Sequence, residues 1–127
     1  MNSRITLALA AALGMLAVGL GAFGAHSLGD MLIATKRLDV YKTAVAYHFY
    51  HVFALLATGI LMIWNPDKKL SYASWCFFIG VILFSGSLYL ICILDIRSIG
   101  ILTPIGGVFF IAGWFMLLLS CLKKNGN

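Results

Sequence analysis

The sequence predicts an all-α integral membrane protein: a bundle of four transmembrane helices with a short amphipathic surface helix between helices 1 and 2. Hydrophobic residues make up 62% of the 127 residues and charged residues only 10%, whereas a soluble domain carries about 25% charged residues. A chain this short has too little interior to hide so much apolar surface from water. The apolar residues are also gathered into four long segments that contain no charged residue.

The four apolar segments are residues 5–25, 43–64, 72–94 and 99–122. Each is long enough to cross a hydrocarbon core, which takes about 20 helical residues. Helices are expected because lipid offers no partners to backbone polar groups. The first segment follows Arg4 as a signal peptide would, but its apolar run exceeds a normal signal core, so we expect an uncleaved helix. We predict a single membrane domain over residues 1–127.

The link between the first two segments predicts the surface helix. Four residues of this link share one helical face: Leu28, Met31, Leu32 and Thr35. A short helix lying on the membrane surface fits this pattern, and a partly ordered loop is the alternative. Ser27 and Asp30 have the spacing of a capping box for this helix.

Two further residues predict helix starts. We expect Asp39 to cap the second transmembrane helix. Thr103 followed by Pro104 predicts that the regular part of the fourth helix begins at Pro104, because proline suits the first helical position.

Basic residues flank the apolar segments, which is typical of membrane spans facing anionic head groups. An even number of spans places both termini on one side, together with Arg4, Lys68, Lys69, Lys123 and Lys124. The other side holds Lys36, Arg37, Lys42 and Arg97. This distribution, five basic residues against four, favours cytoplasmic termini in a multi-pass membrane protein. The net charge of +5 does not predict nucleic-acid binding, because that requires a clustered basic face.

Small residues four apart on helix 1 predict close helix packing. They form the series Ala10, Gly14 and the series Ala17, Gly21, Ala25. Such a stripe lets another helix approach closely. Packing within the bundle is the first interpretation, and a face for a homo-oligomer or another membrane protein is the alternative.

Polar or backbone-irregular residues of all four helices fall in the leaflet away from the termini. They are His26, Tyr47, His48, His51, Ser85, Ser87, Tyr89, Thr103, Pro104, Gly106 and Gly107. The opposite halves, residues 55–63, 77–82 and 115–119, are nearly featureless. Polar residues at such depth usually face the bundle interior, so these residues predict a ligand pocket. The alternative is that they hydrogen-bond between helices and only fix the packing.

The chain carries none of the short motifs of hydrolases, metalloproteases or phosphate-binding loops. We therefore expect a non-enzymatic binding, assembly or accessory protein without a cofactor. One alternative is a metal- or haem-binding protein that uses His26, His48 and His51, although no cysteine or glutamate completes a zinc pattern. A second is a small transporter or channel subunit, although no carboxylate lies within a span.

Four segments of the chain resemble a known family. They are GAFGAH (21–26), YHFYHVFALL (47–56), FSGSLY (84–89) and TPIGGVFFIAGW (103–114). They are similar to the membrane proteins of the domain of unknown function 423 family, whose relatives include transmembrane protein 256. The resemblance implies a four-helix bacterial inner-membrane protein with mitochondrial or other eukaryotic relatives, and it implies no activity. The family's motif residues fall on the predicted pocket residues.

Overall fold

The computed structural model describes residues 1–122, and these residues form helices without a strand. Four helical segments are long and apolar enough to cross a membrane, which confirms the predicted fold class. They are Ser3–His26, Leu38–Trp64, Lys68–Leu94 and Arg97–Cys121. The predicted helix between the first two also forms, although it spans only Gly29–Ala34.

We number the helices in chain order. The first three are α1 (Ser3–His26), α2 (Gly29–Ala34) and α3 (Leu38–Trp64). The third span is divided into α4 (Lys68–Gly80), a π-helical turn (Val81–Ser85) and α5 (Gly86–Leu94). A 3₁₀ turn (Arg97–Ile101) leads into α6 (Leu102–Cys121), which completes the fourth span.

The helices begin earlier than the apolar segments do. The second span starts at Leu38 rather than residue 43, and the third at Lys68 rather than residue 72. Charged residues at the membrane surface can continue a helix because water solvates their side chains while each added residue gains a backbone hydrogen bond. The Asp67 carboxylate caps α4 by accepting a hydrogen bond from the Lys69 backbone N–H at 3.0 Å.

The predicted caps of the other helices are wrong. Ser27 does not cap α2; its backbone N–H donates to the Phe23 carbonyl at 3.0 Å and ends α1. Asp39 lies in the first turn of α3, where a negative charge is favourable but makes no cap. Helix α6 begins at Leu102, so Pro104 lies within its first turn, where the missing N–H has no helical partner to lose.

The second and third spans form the centre of the bundle. Helix α3 packs against α1 on one side and against the third span on the other, and α6 packs against α4 and the π turn. One apolar cluster includes Leu55, Phe77 and Phe110, and a second joins Leu32 of α2 to Tyr41 and Tyr89. The buried Leu32 ties the short helix to the bundle.

Small residues of α1 face the interior of the bundle. Ala10 and Ala17 are buried, and helix α1 packs against α3. At Gly24 a Cβ would lie 2.1 Å from the Tyr41 ring, so only glycine allows this approach. The buried members of the stripe therefore serve packing within the chain, whereas Ala25 is exposed. A homo-oligomer or a membrane-protein partner through these faces stays a prediction.

Candidate functional site

A cavity of about 460 Å³ lies beside His48 between α1 and the third span. We call it the His48 cavity. Its other walls are mainly apolar residues of α1 and of the third and fourth spans, and Ser87 and Tyr89 also line it. Leu16, Ile82 and Leu90 line the cavity and are also exposed on the side of the bundle. The cavity therefore opens sideways, towards the surface that lipid covers.

His48 is the polar side chain that is not satisfied in this cavity. Its ring is 3% exposed, and its Nδ1 lies 3.1 Å from the Tyr89 hydroxyl. Its Nε2 is buried and has no hydrogen-bond partner. The Leu13 backbone carbonyl approaches the ring as a weak acceptor, but this contact lies outside normal hydrogen-bond geometry for Nε2. A buried polar atom without a partner is destabilising by about 1–3 kcal/mol, so this nitrogen needs an explanation.

The contact with Tyr89 assigns the proton of the His48 ring. The Tyr89 hydroxyl has no other hydrogen-bond partner among residues 1–122. If Nδ1 carried the proton, the buried Tyr89 O–H would lose its acceptor. The favourable arrangement has Tyr89 donating to Nδ1, which leaves the proton on Nε2. His48 therefore presents an N–H donor.

The π turn forms part of the wall of the cavity. Val81 and Ile82 of this turn line the cavity, and Ser85 at its end donates a hydrogen bond to the Ala44 carbonyl at 2.8 Å. Single π turns inside α-helices are rare and are frequent at functional sites. Ser85 thus ties the widened turn to α3 and holds the wall in place.

Ser87 and Thr103 join the third span to α6. Their hydroxyl oxygens are 2.6 Å apart, and Ser87 also donates to the Phe84 carbonyl at 2.9 Å. Both hydroxyls are satisfied within the protein, so these two residues position helices. Gly106 has a similar role, because a Cβ there would lie 2.4 Å from the Phe84 backbone nitrogen.

His51 lies one helical turn from His48 and has different neighbours. Its Nδ1–H donates to the Tyr47 carbonyl at 2.7 Å, and its Nε2 accepts from Trp114 Nε1 at 3.3 Å. The ring stacks on Phe110 with centroids 3.4 Å apart and planes 6° apart. Both ring nitrogens are occupied, so His51 is a neutral packing residue with no free ligand atom.

The exposed side of this region is a groove of about 530 Å³, which we call the aromatic groove. It is lined by Tyr47, Tyr50, His51, Gly107, Phe110, Ile111 and Trp114. Tyr47 stacks on Phe84 with centroids 4.8 Å apart. The groove and the His48 cavity share no lining residue, so the structure separates the predicted pocket residues into two regions.

Five predicted pocket residues line neither the His48 cavity nor the aromatic groove: His26, Ser85, Thr103, Pro104 and Gly106. His26 is exposed at the end of α1, and no hydrogen bond or ring contact joins it to His48 or His51 in the described part of the chain. Pro104 is exposed in the first turn of α6. Within residues 1–122, no three His, Cys, Asp or Glu side chains lie close enough together to hold a metal ion.

The prediction that the opposite halves are nearly featureless is wrong. Thr6, Thr58 and Ser74 are fully buried near the terminal end of the bundle. The Thr6 hydroxyl donates to the Asn2 carbonyl at 2.8 Å and lies 3.3 Å from Ser74 Oγ. Thr6 stands four residues before Ala10, so extending the small-residue stripe of helix 1 by one turn would have found it.

An ion-pair cluster near the start of α3 was also absent from the sequence prediction. Arg37 pairs with Asp95 and donates to the Ile91 carbonyl at 3.0 Å. Arg97 Nε lies 3.1 Å from the same carboxylate. Hydrogen bonds from Arg37, and then from Arg97, lower the pKa of Asp95. The cluster joins the link before α3 to the link after α5.

Comparison with known proteins places the chain among small bacterial membrane proteins. The sequence model of a family described as a protein of unknown function, DUF423, matches residues 20–107. A UPF0382 membrane protein of Staphylococcus saprophyticus is 44% identical over 120 residues, which cover 94% of this chain and 98% of that protein. The UPF0382 membrane protein YwdK of Bacillus subtilis is 41% identical over 125 residues, which cover 94% of this chain and 98% of YwdK.

No solved structure matches the chain. The family match extends from the last part of α1 to the first part of α6 and includes His48, the π turn and Tyr89. The relatives extend over almost the whole length of the chain. These matches and the four apolar spans show that the chain is a membrane protein of the DUF423 family, whose function is unknown.

Proposed function

We propose that this protein binds an amphipathic molecule of the lipid bilayer in the His48 cavity. The observation that carries the proposal is the unpartnered Nε2 of a buried histidine that lines an apolar space of about 460 Å³. Apolar walls suit hydrocarbon, and one well-placed polar group suits the orientation of a ligand. Such a combination is typical of a binding site more than of a packing defect.

Binding is favoured over catalysis by the residues that form the site. The described residues that line the cavity include no carboxylate and no thiol. The hydroxyl of Ser87 is already engaged by Thr103 and by the Phe84 carbonyl. An activated nucleophile requires an adjacent base, and the only basic side chain of the cavity, His48, is bonded to Tyr89 instead.

Filling the cavity tests this function. Gly86 lines the cavity, and a Cβ there meets no atom closer than the Val81 carbonyl at 3.9 Å. Gly86→Leu should fold and should fill part of the space. Gly19→Leu is the matched control, because Gly19 is exposed on α1 with no atom within 4 Å of its Cβ position.

The measurement is the amount of small lipid-soluble molecule that stays with the purified protein in native mass spectrometry. We expect a bound molecule with the wild type and with Gly19→Leu, and its loss with Gly86→Leu. Equal retention by all three proteins, or retention by none, would contradict binding in the cavity.

We also propose that the protein lies in the bacterial inner (plasma) membrane with cytoplasmic termini. Support comes from relatives that are membrane proteins of Gram-positive bacteria. It also comes from the basic residues, of which five lie on the side of the termini and four on the other side. Alkaline phosphatase should be inactive and green fluorescent protein fluorescent when either is fused to the C-terminus. An active phosphatase fusion would contradict the proposal and place the C-terminus outside the cytoplasm.

A further inference from the structure

We infer that the ligand of the His48 cavity is an uncharged lipid with a carbonyl group that accepts a hydrogen bond from His48 Nε2. This inference rests on the proposed function and adds the chemical class of the ligand. A lipid quinone and the ester of a diacylglycerol both supply this chemistry. Three features of the structure support it: the proton on His48, the depth of the ring and the absence of charge around it.

The proton on His48 requires an acceptor. Tyr89 donates to Nδ1 in the arrangement that satisfies both groups, so Nε2 keeps its hydrogen. A ligand hydroxyl could offer a lone pair, but its own hydrogen would then need a second acceptor. Besides His48, the polar side chains that line the cavity are Ser87 and Tyr89, and neither lies within hydrogen-bond distance of Nε2. A carbonyl oxygen brings a lone pair without an additional donor.

The depth of the ring excludes a charged head group. Helix α3 has 27 residues, and His48 lies ten residues after its first residue, Leu38, which is about 15 Å along the axis. Half of a hydrocarbon core is also about 15 Å. Helix α3 is about 40 Å long and exceeds the core by about 10 Å, so a core centred on α3 places His48 about 10 Å inside the hydrocarbon, within about 5 Å of its middle. No Lys, Arg, Asp or Glu lines the cavity among the described residues, and a charge at this depth is costly without a partner.

The shape of the cavity gives room for the apolar body of the ligand. On α1 the lining residues run from Leu13 to Leu20, and on the third span from Val81 to Leu90. Ile99 and Leu102 close the end near the link to α6. The space therefore extends along the bundle from the depth of His48 towards one membrane surface. A carbonyl at His48 with a hydrocarbon chain along α1 fits this arrangement.

Four probes separate the carbonyl from the other properties of a lipid. Decylubiquinone and dioleoylglycerol carry uncharged carbonyls, hexadecane carries none, and oleate carries a charged head group. Each is titrated into the protein in detergent micelles, and binding is followed by retention of the probe after gel filtration. Decylubiquinone and dioleoylglycerol should bind more tightly than hexadecane and oleate, and the tighter of the two identifies the source of the carbonyl.

Variants of His48 test the hydrogen bond itself. His48→Leu should weaken the binding of the carbonyl probes about tenfold, which is the effect of losing one hydrogen bond of about 1.4 kcal/mol. The binding of hexadecane should stay unchanged. His48→Gln keeps an N–H near the position of Nε2 and should restore most of the affinity. Gly19→Leu is again the control, because it adds the same side chain away from the cavity and should leave binding of every probe unchanged. The melting temperature of each variant shows whether it is folded.

The outcomes separate the ligand class from the proposed function. If Gly86→Leu abolishes binding of all probes while His48→Leu weakens none, the cavity binds lipid but the carbonyl inference is wrong. Oleate or hexadecane binding as tightly as the carbonyl probes would also overturn the inference. If Gly86→Leu does not change the binding of any probe, both the inference and the proposed function fail.

Discussion

The two histidine regions of α3 differ although His48 and His51 lie one helical turn apart. The His51 ring has both nitrogens bonded, to the Tyr47 carbonyl and to Trp114, and it stacks on Phe110. The His48 ring has one nitrogen bonded to Tyr89 and the other without a partner beside a cavity. Burial of a histidine therefore does not identify a binding site. The proposed site rests on the unused hydrogen-bonding capacity of His48.

The terminal end of the bundle supports the same lesson. Its buried hydroxyls at Thr6, Thr58 and Ser74 each donate to the carbonyl four residues earlier, at 2.8, 2.7 and 3.0 Å. A serine or threonine can satisfy its hydroxyl on its own helix in this way. An imidazole has two nitrogens on a rigid ring, and His48 satisfies only one of them within the protein.

The largest expected effect distinguishes the two histidines by stability. His51→Leu removes two hydrogen bonds and a ring stack and leaves the Trp114 N–H without its acceptor. We expect it to lower the free energy of unfolding by about 3 kcal/mol. His48→Leu leaves the Tyr89 O–H without its acceptor but also removes an unsatisfied nitrogen, so the two effects offset in part and its loss should be about 1 kcal/mol. Equilibrium unfolding in mixed micelles measures both, and equal losses would break the comparison.

A smaller effect is expected from two adjacent glycines that belong to different regions. A Cβ at Gly106 would lie 2.4 Å from the Phe84 backbone nitrogen, at the π turn beside the His48 cavity. Gly106→Ala forces α6 away from this backbone and should cost about 2 kcal/mol of stability.

Gly107 lines the aromatic groove and provides the matched control. Its Cβ position lies 3.9 Å from the nearest atom, the Phe84 Cδ2. Gly107→Ala should leave stability unchanged or raise it by up to about 1 kcal/mol, because alanine is the better helix former. Melting temperatures in one detergent compare the two variants, and equal destabilisation would show that the close approach at Gly106 does not matter.

The smallest effect concerns the ion-pair cluster at the start of α3. Arg37 and Arg97 lower the pKa of Asp95 below its ordinary value of 3.8. Because the folded pKa is the lower one, the stabilisation is present above the ordinary value and is lost as the pH falls through the folded pKa. Acid titration of thermal stability should therefore show a loss below about pH 4 that Asp95→Asn reduces. The side chain is 60% exposed, so solvent screening keeps this effect small.

The fold could be predicted from the sequence because a bilayer leaves few alternatives. In lipid, the backbone polar groups of four uncharged apolar segments can form their hydrogen bonds only if each segment is a membrane-spanning helix. The helix ends could not be predicted to the residue. By its sequence, Ser27 could either cap the start of α2 or end α1. It ends α1, because that helix extends as far as His26. The buried hydroxyls of Thr6 and Ser74 near the terminal end were not predicted either. Each donates a hydrogen bond to a carbonyl four residues earlier, so no pattern of polar residues on several helices marks it in the sequence.

The candidate site was predictable as a group of residues but not as an arrangement. Depth along the helices brought His48, Ser85, Ser87 and Tyr89 into one leaflet, and the structure places all four around the third span and α3. His48 and His51 lie three residues apart on α3. In the structure they contact different helices, Tyr89 on α5 and Trp114 on α6.

The sequence by itself determined that the chain lies in a lipid bilayer and crosses it four times, because both follow from hydropathy and from the length needed to cross lipid. Only the tertiary structure decided which nitrogen of which histidine is left without a partner. That outcome depends on the rotation of each helix about its axis and on the π turn that widens the third span. Both are set by side-chain packing between segments that are distant in sequence, such as Gly106 against Phe84.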